Sequence, residues 1–437
     1  MKVNWIESNR GSKGFVAMVV TGLLISAGLG SLRAEVTSDD YLGAWNVLIE
    51  NIGGTFNSSW FEVREADGQL EGSLLWRWGS VIPVESVKVE EGELIINRPE
   101  GGKDILYRAR LVDGELKGSV TMPGGEKHEF TGRRDIPGID LSGTWVLKPQ
   151  VPAGAQAEQS EERRRAFERT LTIRQSGDDL VVSMPRRDGG VTESKRGALD
   201  GDQVEFLFEM TRNDRTINLV YSGLVKGDRM EGTMQVEGGE RDFSFPWVAD
   251  RQRVWGDPIR MFDGETLNGW HQRDASRSFQ WKVAEDGSLE NTPPDDDIVS
   301  DIKFKDFKLR LEYKVAKNSN SGVYLRGRYE LQVLDDYGKG ISPHGNGAVY
   351  SRVPAKMNVS KAPGEWQELE VTMIGRYITV VLNGTTIHDN EKLGGITGGA
   401  LDPWQNEAGP LLLQGDHGLV NFRNIQVWPA SGVRPGA

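Results

Sequence analysis

The chain has 437 residues, of which 27% are charged and 37% hydrophobic, and its formal net charge is −12. That length exceeds one ordinary core and predicts two or three domains, while the composition suits soluble globular protein rather than a disordered or polytopic membrane chain. The negative balance excludes nucleic acid as a partner, because its phosphates would be repelled; Arg163-Arg164-Arg165 is a local run flanked by glutamates, not a basic stripe.

The first 34 residues read as an export signal. Lys2, Arg10 and Lys13 precede the apolar run FVAMVVTGLLISAGLG, and Leu32-Arg33-Ala34 offers a small residue for cleavage. The run from Phe15 to Gly30 holds polar residues and glycines and falls short of the roughly 20 apolar residues a membrane span needs. The expectation is a periplasmic or secreted protein with no stable span after cleavage. Cysteine is absent, so disulfides and a lipidated cysteine are both excluded.

Two segments, 40–136 and 139–250, look like copies of one unit. Each opens on Gly-x-Trp, in YLGAWNVLIE and LSGTWVLKPQ, and each closes on a hairpin carrying Gly-Gly-Glu. Alternating stretches such as Glu93-Leu94-Ile95-Ile96 lie between, so each copy is expected to be a small antiparallel barrel or sandwich. The Gly-x-Trp openings are similar to those of lipocalin-like barrels. The second copy carries an insertion, QAEQSEERRRAFERT, expected to be an exposed helix or lid-like loop. Trp60, Trp76 and Trp78 offer a sugar-stacking patch, with core filling the commoner role for such residues.

From residue 257 to 431 the character changes. FKLRLEYKV alternates strictly, with Phe307, Leu309, Leu311, Tyr313 and Val315 on one face. QELEVTMIG repeats the pattern, and YITVVLNGTTIHD turns at Asn383-Gly384, a type I′ pair. With no convincing helix, this segment predicts a two-sheet sandwich of jelly-roll type. The whole chain is therefore expected to be all-β.

Four of the five histidines, His271, His344, His388 and His417, fall in this last segment. His388 follows the Asn-Gly hairpin and reads as surface. In RYELQVLDDYG, Tyr329, Leu331 and Val333 take the core face, which sends Glu330 and Gln332 to the other and leaves Asp335 at the strand end. In NSNSGVYLRG, Tyr324 and Arg326 oppose Val323 and Leu325. In LLLQGDHGLVNFRNIQVWP, Gln414 opposes Leu411 and Leu413, with His417 just beyond. If these strands are neighbours, Arg326, Glu330, Gln332 and Gln414 share a surface, with Asp335 and His417 at its rim. Asn320 joins them as a polar group. Amides and Arg hold hydroxyls and carbonyls, and a carboxylate or imidazole moves protons, as a polyol site requires. A solvated outer face is the alternative, although such a face usually carries Lys, Glu and Thr.

The segment also resembles the 3-keto-disaccharide hydrolase family. MFDGETLNGW, FKDFKLRLEYKV, NSGVYLRG, YELQVLDD, GAVYSRVPA, GEWQELEVTMIGRYITVVLNG and LLLQGDHGLVNFRNIQVWP follow in that family's order over about residues 259–429. The resemblance implies a concanavalin-like jelly roll acting on an oligosaccharide or glycoside oxidised at C3. That ketone acidifies the C2 proton, so a base can remove it, the C1 oxygen is expelled and water then adds. Under this reading Glu330 or His417 is the base. Arg326, Gln332 and Gln414, with Tyr324 and Asn320, bind substrate, and Asp335 orients a partner. A divalent metal ion at Glu330, Asp335 and His417 is a further expectation. A carbohydrate-binding module without activity is the alternative, with Trp270, Trp281, Trp366 and Trp404 as stacking platforms. An assembly protein of three β modules is the third.

Overall fold

The computed structural model describes residues 36–433 except 52–53, 77, 101–102, 151–167, 187, 213–214 and 240–242. The export signal and the inserted segment QAEQSEERRRAFERT, apart from its last three residues, lie outside the described residues. What is described is all-β, with one 3₁₀ turn at Ser38–Tyr41. Among the described residues no helix is long and apolar enough to cross a membrane.

Gly43–Glu50 to Lys127–Arg134 form one nine-stranded antiparallel sheet that curls into a half-barrel. Gly143–Pro149 to Phe243–Arg251 form a second, and this one closes, because Arg169–Ser176 pairs with Gly143–Pro149 on one side and Asp179–Pro185 on the other. The paired Gly-x-Trp openings have a common physical role. Trp45 and Trp145 are fully buried, and each donates its indole N–H to a backbone carbonyl four residues earlier, Tyr41 O at 2.9 Å and Leu141 O at 2.8 Å. An arginine from the last strand covers each ring, Arg134 at 4.5 Å and Arg251 at 5.4 Å from the centroid. The same indole plug thus seats the first strand of both units.

The remaining chain is a two-sheet sandwich. One sheet runs Lys282–Val283, Leu289–Glu290, Val420–Val433, Phe307–Val315, Gln367–Ile374, Tyr377–Leu382, Thr385–Lys392. The other runs Trp270–Gln272, Ile298–Phe304, Gly409–Leu413, Asn320–Leu325, Tyr329–Leu334. Strand alternation decides the core: Phe307, Leu309, Leu311, Tyr313 and Val315 of the first sheet meet Val323, Tyr329, Leu331, Val333, Leu411 and Leu413 of the second. Asn383 and Gly384 sit at φ 52° and 78° between paired Leu382 and Thr385, as a type I′ hairpin demands.

Two aromatic expectations resolve here. Trp60 and Trp76 are buried, Trp60 in a cluster with Leu75, Ile396 and Ala400, and only Trp78 of that trio is exposed. Trp270 and Trp281 belong to the sandwich core, whereas the rings of Trp366 and Trp404 already carry Arg423 and Arg133. His388 corrects the sequence expectation. It is buried, with Nε2 2.9 Å from Gly347 O, because register shifts against Ile378–Val381 turn it inward beside Ile387.

The half-barrel is tied to the sandwich by a buried ion pair. Arg376 donates to both Asp135 oxygens at 2.8 and 2.5 Å, and Asn46 and Gln405 complete the carboxylate's partners. Asp135→Ala should destabilise the protein by about 3–5 kcal/mol in chemical denaturation, since Arg376 would be left buried without its counter-charge. An unchanged midpoint would show that the charge had found water instead.

Candidate active site

The second sheet of the sandwich turns its outer face into a hollow of about 160 Å³. Its floor follows from strand register. Asn320–Leu325 pairs antiparallel with Tyr329–Leu334 so that Tyr324 sits opposite Glu330 and Gly322 opposite Gln332. Odd positions enter the core and even ones face the hollow. Gly322 is needed there, because a Cβ would meet Glu330 Oε1 at 2.7 Å. Gln414 follows the Gly409–Leu413 strand, whose Val323–Leu413 pairing brings it alongside.

The face is not a solvated one. Glu330 is 4% exposed and Gln332 5%, because loop residues Gly398 and Gly399 and the half-barrel's Trp78 roof the sheet. Burial therefore pushes the Glu330 carboxyl up to about 8, against the lowering effects of Tyr324 and His417. Tyr324 Oη lies 2.9 Å from both Glu330 Oε2 and Gly398 O, and it has one proton to give. A protonated Glu330 resolves this: the acid donates to Tyr324, and Tyr324 donates to the carbonyl. With its amide nitrogen turned toward them, Gln332 donates to Ser321 O and Glu330 Oε1, each at 3.1 Å.

At the rim, His417 Nδ1 is hydrogen-bonded to Asp416. That bond, opposed by partial burial and helped by the Asp416 charge, raises the imidazole above its ordinary value of 6.5. Arg277 reaches from Asp296 at 3.1 Å to Asp416 at 3.6 Å and so fixes the pair. Arg273 lines the wall, paired with Asp297 at 2.8 Å. Burial raises the Asp297 carboxyl despite that partner. Asn320 Oδ1 is buried in the lining without a hydrogen-bond partner, an acceptor left for a ligand hydroxyl.

Glu330, Gln332, Gln414, Tyr324, Asn320 and His417 thus come together. Arg326 and Asp335 do not. The strand ends at Leu325, and Arg326 takes φ 55° in the turn, which breaks alternation and swings its guanidinium to Gly375 O and Gln405 O. Asp335 accepts the Asn318 amide at 2.8 Å and closes the turn before Asn320–Leu325. With Asp335 engaged there, the expected Glu330, Asp335 and His417 ligand set is not assembled. No group of three His, Asp or Glu suited to a metal ion occurs among the described residues. The residues do not fit a divalent ion at that position.

Sequence reasoning missed Arg273, Arg277, Asp296, Asp297 and Tyr350, and placed Trp78 in another module. The run Asp295-Asp296-Asp297 looks like a solvated patch, yet all three are buried. Their one visible signal is position, directly before the apolar strand Ile298–Phe304.

Residues 257–428 match the family model described as a 3-keto-alpha-glucoside-1,2-lyase-like domain. The sandwich belongs to that family. The lyase-like domain is also similar to a 3-keto-disaccharide hydrolase of Bacteroides thetaiotaomicron, 26% identical over 166 residues. That alignment covers 30% of this chain and 54% of the relative, so the chain spans about half of that protein's length. Among solved structures, a candidate glycosyl hydrolase from Parabacteroides distasonis is 27% identical, covering 40% of this chain and 84% of that one, at a TM-score of 0.35. The carbohydrate-binding module CBM66 of Bacillus subtilis is 14% identical, covering 37% of this chain and 95% of that one, at a TM-score of 0.26. The two N-terminal β units lie outside the lyase-like match.

Proposed function

We propose that the protein is an exported enzyme that cleaves the C1–O bond of 3-keto-glycosides, with His417 as base and Glu330 as acid. The observation that carries this reading is the unequal pair around one hollow: a buried carboxyl raised to about 8, and an imidazole backed by Asp416. A conventional glycosidase works with two carboxyl groups around an oxocarbenium-like centre. The other carboxyls lining the hollow are engaged, Asp297 by Arg273 and the Gly415 amide, and Asp416 by His417 and Arg277.

His417 takes the C2 proton, acidified by the adjacent ketone, and the electron pair forms the enolate. As the C1–O bond breaks, the C3 ketone re-forms, Glu330 gives its proton to the departing oxygen, and the ring is left as a 3-keto-glycal with a C1=C2 double bond. Water then adds at C1. Glu330, now a carboxylate, takes the proton of that water, and the imidazolium returns one to C2. Both groups are reset, and the sum is hydrolysis. Arg273 and Arg277 bring positive charge to the wall where the enolate oxygen develops, and Asn320 and Gln414 supply polar contacts for hydroxyls.

Turnover should follow a bell-shaped pH profile. It falls as pH drops through the raised His417 value, because the imidazolium cannot accept a proton. It falls again as pH rises through about 8, because Glu330 has lost the proton it must give. Asp416→Asn removes what raises His417, so the acidic limb should move to lower pH, and the alkaline limb should move down as well but by less, because the Asp416 charge is the last of the effects that raise Glu330. A rate that climbs through pH 8 would instead make Glu330 the base. The direct test incubates the full chain with 3-keto-trehalose or 3-keto-sucrose and follows products by NMR; binding without product on either would overturn the enzyme reading.

A further inference from the structure

The hollow is not the end of the concave surface. A second, wider groove of about 840 Å³ continues outward from it and shares Trp78, Arg273, Arg277, Asp416 and His417 with it. The outer groove's far wall is not part of the lyase-like domain. It comes from the half-barrel: Asn51, Thr55, Phe56 and Asn57. His417 therefore stands between two compartments built by different parts of the chain, with Glu330 in the inner one.

Two large aromatic side chains border this groove, and both are open to solvent: Trp78 is 54% exposed and Phe56 60%. Exposed aromatics that border one groove, rather than lying scattered singly, mark a surface suited to a ligand. Trp78 is also held in place. Arg273 lies 5.3 Å from its ring, and Gly399 packs beneath, where a Cβ would come within 3.4 Å of the indole. The next residues are pinned to the sandwich, Ser80 Oγ to His344 Nε2 at 2.9 Å and the Val81 amide to Ser351 Oγ at 3.0 Å. Gly398 is what lets the two backbones touch, since a Cβ there would meet Gly79 O at 2.5 Å. A rigid, exposed indole beside a reacting centre is an anchoring platform, with no ordering cost left to meet on binding.

We propose that the half-barrel supplies the subsite for the departing half of the substrate, and that this half is a second sugar ring stacked on Trp78. This rests on the function proposed above. The inner hollow takes the keto ring, whose C2 and C1 must reach His417 and Glu330. The bond to be broken then points to the shared rim, and whatever leaves lies over Trp78 and Phe56. The C–H faces of a pyranose are apolar and match an indole face, while Asn57 and Thr55 offer polar groups to its edge hydroxyls. A small alkyl leaving group would touch none of them.

The test compares two substrates on the full chain, a 3-keto-disaccharide and methyl 3-keto-glucoside. Trp78→Ala should lower kcat/KM for the disaccharide by roughly 10-fold more than for the methyl glycoside, chiefly through KM, the loss common to both substrates being what uncovering Glu330 costs. Trp78→Phe should recover part of the loss, because a flat ring is restored. Equal losses on both substrates, or none on either, would overturn the subsite. If the unaltered protein cleaves neither substrate, the enzyme reading falls and the subsite falls with it. If it cleaves both and Trp78→Ala does not separate them, only the subsite fails.

Discussion

Glu330→Gln should slow cleavage of 3-keto-trehalose by about 10²–10⁴-fold while the protein still folds and still exchanges the substrate's C2 hydrogen. Glutamine has nearly the shape of the protonated acid and can keep the contact with Tyr324, which lies 2.9 Å away. What it cannot do is release a proton to the departing oxygen. The enolate would therefore form and return many times for each bond broken. In D₂O, deuterium should accumulate at C2 of recovered substrate, visible as loss of the C2–H signal by NMR. Loss of exchange together with cleavage would move the base role to Glu330.

His417→Ala removes the first step instead of the second. Cleavage should fall by a similar factor, about 10²–10⁴-fold, and C2 exchange should vanish with it. His417 is half-exposed, so the wild-type imidazolium can trade its proton with solvent before returning it, and the exchange assay reports on it directly. The contrast between the two variants separates base from acid more sharply than either rate alone. Exchange that survives in His417→Ala would sink the assignment. Loss of the imidazole also removes one of the effects that lower Glu330, so the acid's own value should rise further.

The inner sheet face shows how far strand parity carries a reading of residues. Alternation around Leu331 correctly sent Glu330 and Gln332 to one side and Tyr329 and Val333 to the other, because pleat geometry has period two and the core accepts only one face. It failed one residue beyond the strand. Alternation makes Arg326 the next outward position, but a left-handed turn residue has no place in it, and the guanidinium goes to the backbone carbonyls of Gln405 and Gly375. His388 failed for a related reason, a bulge that places two successive side chains inside. Asp335 has the sequence position of a rim acid and instead serves its own turn.

What the sequence determined by itself was local and periodic: all-β architecture, the repeated Gly-x-Trp openings of the first two units, the core faces of the sandwich strands, and a set of polar side chains at even positions around Glu330. Those follow from the pleat and from turn residues such as Asn383-Gly384, which act over a few neighbours. Only tertiary structure decided that Glu330 would be covered, because its roof comes from Gly398 and Gly399 and from Trp78, some 250 residues earlier in the chain. The same long-range packing put Arg277 against Asp416 and Trp78 beside Arg273. Covering a carboxyl is what shifts its proton affinity, and no pattern of adjacent residues encodes which distant loop will exclude the water.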